Sequence, residues 1–418
     1  MSGRACLGCS ASLDAPFLDL GAQPLANALL RPEDLDRPEP RVPLAVAYCA
    51  ACHLVQLTAT ATPETLFGEY LYFTSYSEHS LAHARAMADA LIRRFALSPT
   101  RRVLEIASND GYLLQYFQQR GVQVLGVEPA RNVAAVATAR GIPTLTRFFG
   151  PEAVDEILAD FGRADLIVGN NVLAHVPTIN TFLEAVRACL ALDGAAVFEF
   201  PYVGDTLART AFDTVYHEHV FYFSLAAVAG LAARARLEVF DVERHPVHGE
   251  SLRVFLQHAG ARSVAPPVAR LLREEAVVGL TSPDRYTSFS REVATLCLDL
   301  TRMLRGLRDD GRRLAAYGAP AKATVLLNAC AIGVDLLEFT VDRSPYKQGR
   351  LIPGVRVPIR PPEDLVREMP DFTLLLPWNL VDEIVAQQAD YLRKGGAFIV
   401  PVPTPRIIDA ARMPRADL

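Results

Sequence analysis

The stretch from Val103 to Asn132, VLEIASNDGYLLQYFQQRGVQVLGVEPARN, constrains this chain more than any other. A strand-like run, Arg102 to Ile106, breaks into Ala107-Ser108-Asn109-Asp110-Gly111. An amphipathic helix follows, and a second strand, Val122 to Val127, ends on Glu128. Small residues at the first turn let backbone approach a ligand, and a strand-terminal carboxylate accepts hydrogen bonds from a ribose diol. The unit reads as a nucleoside-binding half-site of an α/β sheet.

The details favour S-adenosylmethionine over a nicotinamide cofactor. A dinucleotide fingerprint places glycines where the pyrophosphate meets the helix N-terminus. Here Ala107 and Asn109 stand at those places, only Gly111 is kept, and Glu105 lies at the strand end. A carboxylate repels a pyrophosphate but favours a methionine ammonium or a sulfonium. The plainer reading is a strand-turn-helix unit without a ligand. Asn170 opens a second candidate contact, Asn170 to Val176, just past a strand; it reads equally as a polar loop before the helix near Thr178.

Four of the seven cysteines form two pairs, Cys6-Leu7-Gly8-Cys9 and Cys49-Ala50-Ala51-Cys52. Two residues between thiolates let one tight turn present both sulfurs to a tetrahedral ion. A site of four cysteines leaves no position for water, so Cys6, Cys9, Cys49 and Cys52 predict a structural zinc rather than a catalytic one. Redox dithiols or unrelated buried thiols are the alternatives. Cys189, Cys297 and Cys330 fall in apolar, helix-like contexts and read as core.

At 418 residues, half of them hydrophobic, the chain can bury a large core and divide into several domains. Its net charge of −5, without blocks of one sign, argues against a nucleic-acid surface. No apolar run approaches the roughly 20 residues that span a bilayer. The start, MSGRACLGCS, lacks a hydrophobic signal core, so a cytoplasmic enzyme is expected.

The pattern predicts an α/β protein: a zinc-binding module over residues 1–75, a class I (Rossmann-like) methyltransferase domain over 76–263, a helical connector over 264–310 and a C-terminal Rossmann-like domain over 311–418. Strand and helix alternate from Arg101 onward, with Leu166–Gly169 and Gly194–Phe200 as further strands. A second strand-turn-helix-strand unit runs from Arg313-Leu314-Ala315-Ala316-Tyr317-Gly318 to Leu337–Asp342.

The densest polar constellation is Val215-Tyr216-His217-Glu218-His219-Val220, wrapped in aromatics. Such a cluster can supply a general base and a residue that orients it; a hydrogen-bonded core network is the alternative. Its spacing does not match the helical HExxH zinc motif. Gly318-Ala319-Pro320-Ala321-Lys322 lies between strand and helix, where backbone donors and Lys322 can meet phosphate, and Lys347 adds a cation nearby. A scaffold without a ligand is the other reading. His248, in His248-Gly249-Glu250-Ser251, stands either at an active-site rim or at a bulged strand start.

Taken together, the chain resembles the sugar C-methyltransferases that act on nucleotide-linked ketosugars in deoxysugar and antibiotic biosynthesis. The resemblance is carried by the paired CxxC turns, Gly21-Ala22-Gln23-Pro24-Leu25-Ala26-Asn27, Tyr72-Phe73-Thr74-Ser75-Tyr76-Ser77, Glu105 to Gly111, Tyr216 to His219, and Asp342 to Gly349. It implies His219 as the base with Glu218 and Tyr216 beside it, and Tyr76 approaching from the opposite side. It also implies a nucleotide-sugar substrate, with thymidine diphosphate as the expected nucleotide, held partly by the C-terminal domain. Carbons on both sides of a 4-ketone can enolise; the 3-carbon is preferred over the 5-carbon. Sugar O-methylation and a nicotinamide-dependent nucleotide-sugar oxidation are the rival activities, and nothing in the sequence fixes an oligomeric state.

Overall fold

The computed structural model describes residues 4–60, 74–76, 78–245 and 251–410, with the side chains of Tyr76 and His79 outside that description. Three sheets organise these residues. The first is antiparallel, in the order β1 (Leu18–Pro24), β2 (Arg41–Tyr48), β3 (Val55–Leu57) and β9 (Phe221–Tyr222). Its fourth strand comes from the middle of the chain, directly after the Tyr216–His219 cluster.

The second sheet has seven strands. The parallel ones are β4 (Arg102–Ile106), β5 (Gln123–Val127), β6 (Thr144–Leu145), β7 (Ala164–Asn170) and β8 (Leu190–Pro201). Beyond β8 lie β10 (Leu237–His245) and β11 (Ser251–His258), giving the order β10-β11-β8-β7-β4-β5-β6 with β11 the one reversed strand. Central strands read VLEI and LIVG because crossover helices bury both faces. The order reverses beside β4, so its following loop opens at the switch point where α/β sheets bind ligands.

The helix Glu78–Arg94 covers one face of this sheet, packing Ala84, Met87, Ala88 and Leu91 against Val103, Leu166 and Val197. Helices Pro266–Val277 and Pro283–Asp309 follow the second sheet; each starts on a proline, whose missing N–H costs nothing in a first turn.

The third sheet runs β14 (Ile359–Arg360), β13 (Thr340–Val341), β12 (Leu314–Tyr317), β15 (Phe372–Leu375), β16 (Ala397–Val400) and β17 (Arg406–Ile408), all parallel except β17. One apolar core is continuous from Leu44 and Val55 through Phe200 and Phe223 to Leu326 and Ile399. Among the described residues no helix is long and apolar enough to cross a membrane.

Candidate active site

The loop after β4 takes an unusual path. Ala107, Asn109 and Gly111 all have left-handed backbone, with φ of 57°, 49° and 78°. For the two non-glycine residues this costs on the order of 1 kcal/mol or more each, and such strain gathers where a ligand must be met. Gly111 has no substitute, because a Cβ there would lie 2.9 Å from Ile142 Cγ1. Glu128, just past β5, accepts the Asn109 N–H through Oε2 and the Ala130 N–H through Oε1, both at 2.9 Å. Each carboxylate oxygen keeps a lone pair for a ribose hydroxyl.

Among the described residues, several buried polar atoms beside this loop have no hydrogen-bond partner of ordinary geometry: both oxygens of Glu105, Ser108 Oγ, Asp110 Oδ1 and Asn170 Oδ1. Glu105 is 1% exposed, and burial, then Glu128, then Asp110, pushes its carboxyl well above the usual range. Three acids around one strained loop call for a cation, so the residues fit the ammonium and sulfonium of S-adenosylmethionine and not a pyrophosphate. Asn170 donates to Tyr112 Oη at 3.1 Å and faces Met87 of the covering helix. Thr74 N–H donates to Asn109 Oδ1 at 2.9 Å, and Ser75 Oγ bonds Asp110 Oδ2, so the segment carrying Tyr76 lies on this loop.

The cysteine turns are matched. Ser10 N–H returns to Cys6 C=O and His53 N–H to Cys49 C=O, both at 2.8 Å, and Ser10 and His53 close the turns with φ of 63° and 62°. The four sulfurs converge within 4.8 Å of one another, with Cys6–Cys52 at 3.6 Å and Cys9–Cys49 at 3.5 Å. Sulfurs at Zn–S of about 2.3 Å in a tetrahedron stand about 3.8 Å apart, so the donor set fits a closed zinc site.

The Tyr216–His219 cluster divides in two. His217 Nε2 meets Val42 C=O at 3.1 Å, and Glu218 Oε1 accepts from Asn27 Nδ2 at 2.6 Å, so both side chains face the zinc module. Burial raises the Glu218 carboxyl, against the Asn27 bond. His219 instead pairs with Tyr216. Its Nδ1 lies 3.2 Å from Thr214 C=O, which can only accept; Nδ1 therefore carries the proton. Nε2 then accepts from Tyr216 Oη at 2.9 Å. Burial, with His175 added, brings the His219 pKa down to about 3, and burial brings His175 to about 4. His175 stands edge-on to His219 and bonds the Glu218 carbonyl at 2.6 Å.

Two further expected residues, Lys322 and Lys347, belong to the third-sheet domain. Lys322 Nζ bonds Asn379 Oδ1 and sits 4.1 Å above the Trp378 ring; burial lowers its pKa to about 8, partly offset by Asp213. Lys347 Nζ donates to Ala319 C=O at 2.9 Å and lies 3.7 Å from Asp342. His248 lies outside the described residues. Sequence reasoning missed His175, Asn27 as the partner of Glu218, and a buried pair in which Arg253 holds Glu199 at 2.7 and 2.9 Å while His83 meets the other oxygen at 2.8 Å. Asn27 and His175 stood inside quoted motifs; the alternating Glu199 and Arg253 carried no signal beyond a charge in an apolar strand.

Sheet order, switch-point loop and acid cluster define an S-adenosylmethionine-dependent methyltransferase domain. The family models agree: "Methyltransferase domain" matches residues 78–242, "C-methyltransferase C-terminal domain" matches 246–403, and a model named for zinc binding matches 6–67. C-methyltransferase NovU of Streptomyces niveus is 39% identical over 394 residues, 94% of each chain. The chain belongs to the C-methyltransferase family, as an S-adenosylmethionine-dependent enzyme with a zinc-binding N-terminal module. Among solved structures, a methyltransferase of Anabaena variabilis superposes with a TM-score of 0.34 at 15% identity, over 42% of this chain and 84% of its own. Magnesium protoporphyrin IX methyltransferase of Synechocystis, with bound S-adenosylhomocysteine (SAH), gives 0.34 at 13%, over 42% and 82%.

Proposed function

We propose that the enzyme methylates a ring carbon next to the 4-ketone of a nucleotide-linked deoxysugar, with thymidine diphosphate as the nucleotide and the 3-carbon as the acceptor. The observation that carries this reading is the His219–Tyr216 pair: a neutral imidazole, fixed as one tautomer, with its basic nitrogen on a phenol. Carbon bearing hydrogen is not nucleophilic, so C-methylation needs a base and an acidifying carbonyl. When bound, S-adenosylmethionine supplies a methyl group on positively charged sulfur. Everything else falls to the chain. His219 takes the proton at Nε2, and the Tyr216 hydroxyl stands in the proton's path and can relay it. An imidazolium is costly in this setting, so proton uptake needs an anion alongside. The developing enolate is that anion, which ties deprotonation to a bound ketosugar. Tyr76 or Tyr216 donates to the enolate oxygen, a contribution of about 3–4 kcal/mol per well-placed donor. Glu218 and Asn27 seat the loop from the zinc-module side.

In the same reading the chain works as four parts, 1–75, 76–263, 264–310 and 311–418. The last helps to hold the nucleotide, with Lys322 and Lys347 on its strand-end loops and His248 at the rim. An open cleft of about 300 Å³ on the same domain is lined by Tyr317, Arg343, Gln348, Glu363 and Gln388.

The test is incubation with methyl-labelled S-adenosylmethionine and a panel of thymidine-diphosphate 4-ketosugars, with NMR location of the label. Label on the 3-carbon is expected. Label on oxygen would assign O-methylation instead, and label on the 5-carbon would move the acceptor position. His219→Gln should lower turnover by about 10²–10⁴-fold with cofactor affinity retained; equal turnover would remove His219 as base.

A further inference from the structure

We infer that Trp378 of the C-terminal domain is a positioning residue for His219, acting through Asp213 and the Thr214 carbonyl. The inference rests on the reading of His219 as the base.

The chain of contacts is short. His219 Nδ1–H donates to Thr214 C=O at 3.2 Å, the bond that selects its tautomer. Thr214 ends a single helical turn, Phe212–Thr214, too short to hold its own direction. Thr214 Oγ1 donates to Ala211 C=O within the turn at 2.7 Å, and the fully buried Asp213 side chain ties the turn to the rest of the fold. Its Oδ2 accepts from Trp378 Nε1 at 2.7 Å, across 165 residues of sequence. Trp378 follows β15, at the switch point of the third sheet, where a nucleotide-binding domain would meet its ligand. Lys322 caps the other face of the indole and reaches Asn379. The helix Ala321–Ala329 that carries Lys322 packs on the Phe212–Thr214 turn, and its Thr324 Oγ1 donates to Ala26 C=O at 2.9 Å. The indole therefore joins the C-terminal sheet to the peptide that orients the imidazole.

Trp378→Phe removes only the N–H and keeps an aromatic ring for packing. With the bond gone, the Thr214 carbonyl loses its fixed bearing and the Nδ1–H tautomer loses its selector. Misorientation of a catalytic group on this scale lowers turnover by roughly 10–100-fold. KM and cofactor affinity should stay near wild type, since the phenyl ring keeps an aromatic face under Lys322 and the Glu105–Gly111 loop is untouched. Asp213→Asn, which still offers an oxygen to Trp378, should hold more of the wild-type kcat than Asp213→Ala.

The deciding measurement is ¹⁵N NMR of histidine-labelled enzyme, with the His219 signal assigned through His219→Gln. The wild type should give a pure Nδ1–H signature, and Trp378→Phe and Asp213→Ala a mixture of tautomers. A pure signature in Trp378→Phe, with the fold intact by circular dichroism, overturns the inference. A mixture with unchanged turnover leaves the Trp378 link standing and removes His219 as the base.

Discussion

The two Rossmann-like sheets carry the same turn and use it for opposite ends. After β5, Glu128 accepts N–H groups from Asn109 and Ala130; after β13, Asp342 accepts them from Ala319 and Ser344, at 2.7 and 2.8 Å. Each acid ties the first-strand loop to the residue two positions beyond itself. The surroundings then diverge. Around the first loop, Glu105, Ser108, Asp110 and Asn170 leave polar atoms without partners of ordinary geometry among the described residues. Around the second, Gly318 lets Pro377 in so closely that a Cβ would lie 2.6 Å from its ring, and Trp378, Asn379 and Lys322 interlock behind it. Shared backbone geometry thus does not mean shared surroundings. Unmatched buried acids line the first loop, whereas a packed proline and an indole back the second.

The comparison can be broken most directly at its two acids. Glu128→Ala should weaken S-adenosylmethionine binding by about 100-fold or more, read by calorimetry, because two hydroxyl bonds to a charged acceptor go with it. If binding survives, the first loop is no more a cofactor site than the second.

Glu105→Gln has a smaller expected effect, about tenfold on cofactor affinity, with a gain in thermal stability of the cofactor-free protein. Its raised carboxyl also sets a sign. Burial holds this carboxyl's proton more tightly than usual and a bound cation loosens it, so binding should release protons and tighten as pH rises. Calorimetry in buffers of different ionisation enthalpy measures this, and no proton release would separate Glu105 from the cofactor.

A third test concerns the histidines beside the site. His175 at about 4 and His219 at about 3 are held below the usual 6.5, so the unfolded chain binds protons first as pH falls. Stability from their neutral forms is complete above about pH 6.5 and drains away toward about 4. The slope is at most about 1.4 kcal/mol per pH unit for each ring. In denaturant titrations the stability difference between wild type and His175→Asn should change across that window and stay constant above it.

Least affected should be cofactor binding in Asp342→Ala. We expect affinity within about threefold of wild type, since distant sites act independently, and a lowered melting temperature from two freed N–H groups. A large loss of affinity would couple the two half-sites.

Local features were legible in the sequence. The paired CxxC turns, the Glu105–Gly111 loop and Glu128 each lie within a few residues of their partners or obey a fixed spacing. Strand alternation disclosed the two parallel sheets, although only Thr340 and Val341 of the Leu337–Asp342 run pair as strand. Long-range pairing was not legible. The Tyr216–His219 cluster was visible as a polar knot, but its division was not, because Asn27 and Val42 are 191 and 175 residues from their partners. Lys322 was visible as a cation on a strand-end loop, but its partners Trp378 and Asn379 were not, since no spacing places them beside it. Tyr76 and His248 fall where side chains are not described.

The strand β9 has a kinetic consequence. Its pairing with β3 closes the zinc module's sheet only after residues 55–57 and 221–222 meet, and the neighbouring loop waits on Trp378 as well. Contacts so remote in sequence carry a large loop-closure entropy, whereas the β4–β5 half-site closes over about 20 residues. The Glu105–Gly111 loop should therefore organise early in folding and the Tyr216–His219 loop last. Substitutions at Asn27, Asp213 or Trp378 should quicken unfolding while leaving the folding rate nearly unchanged.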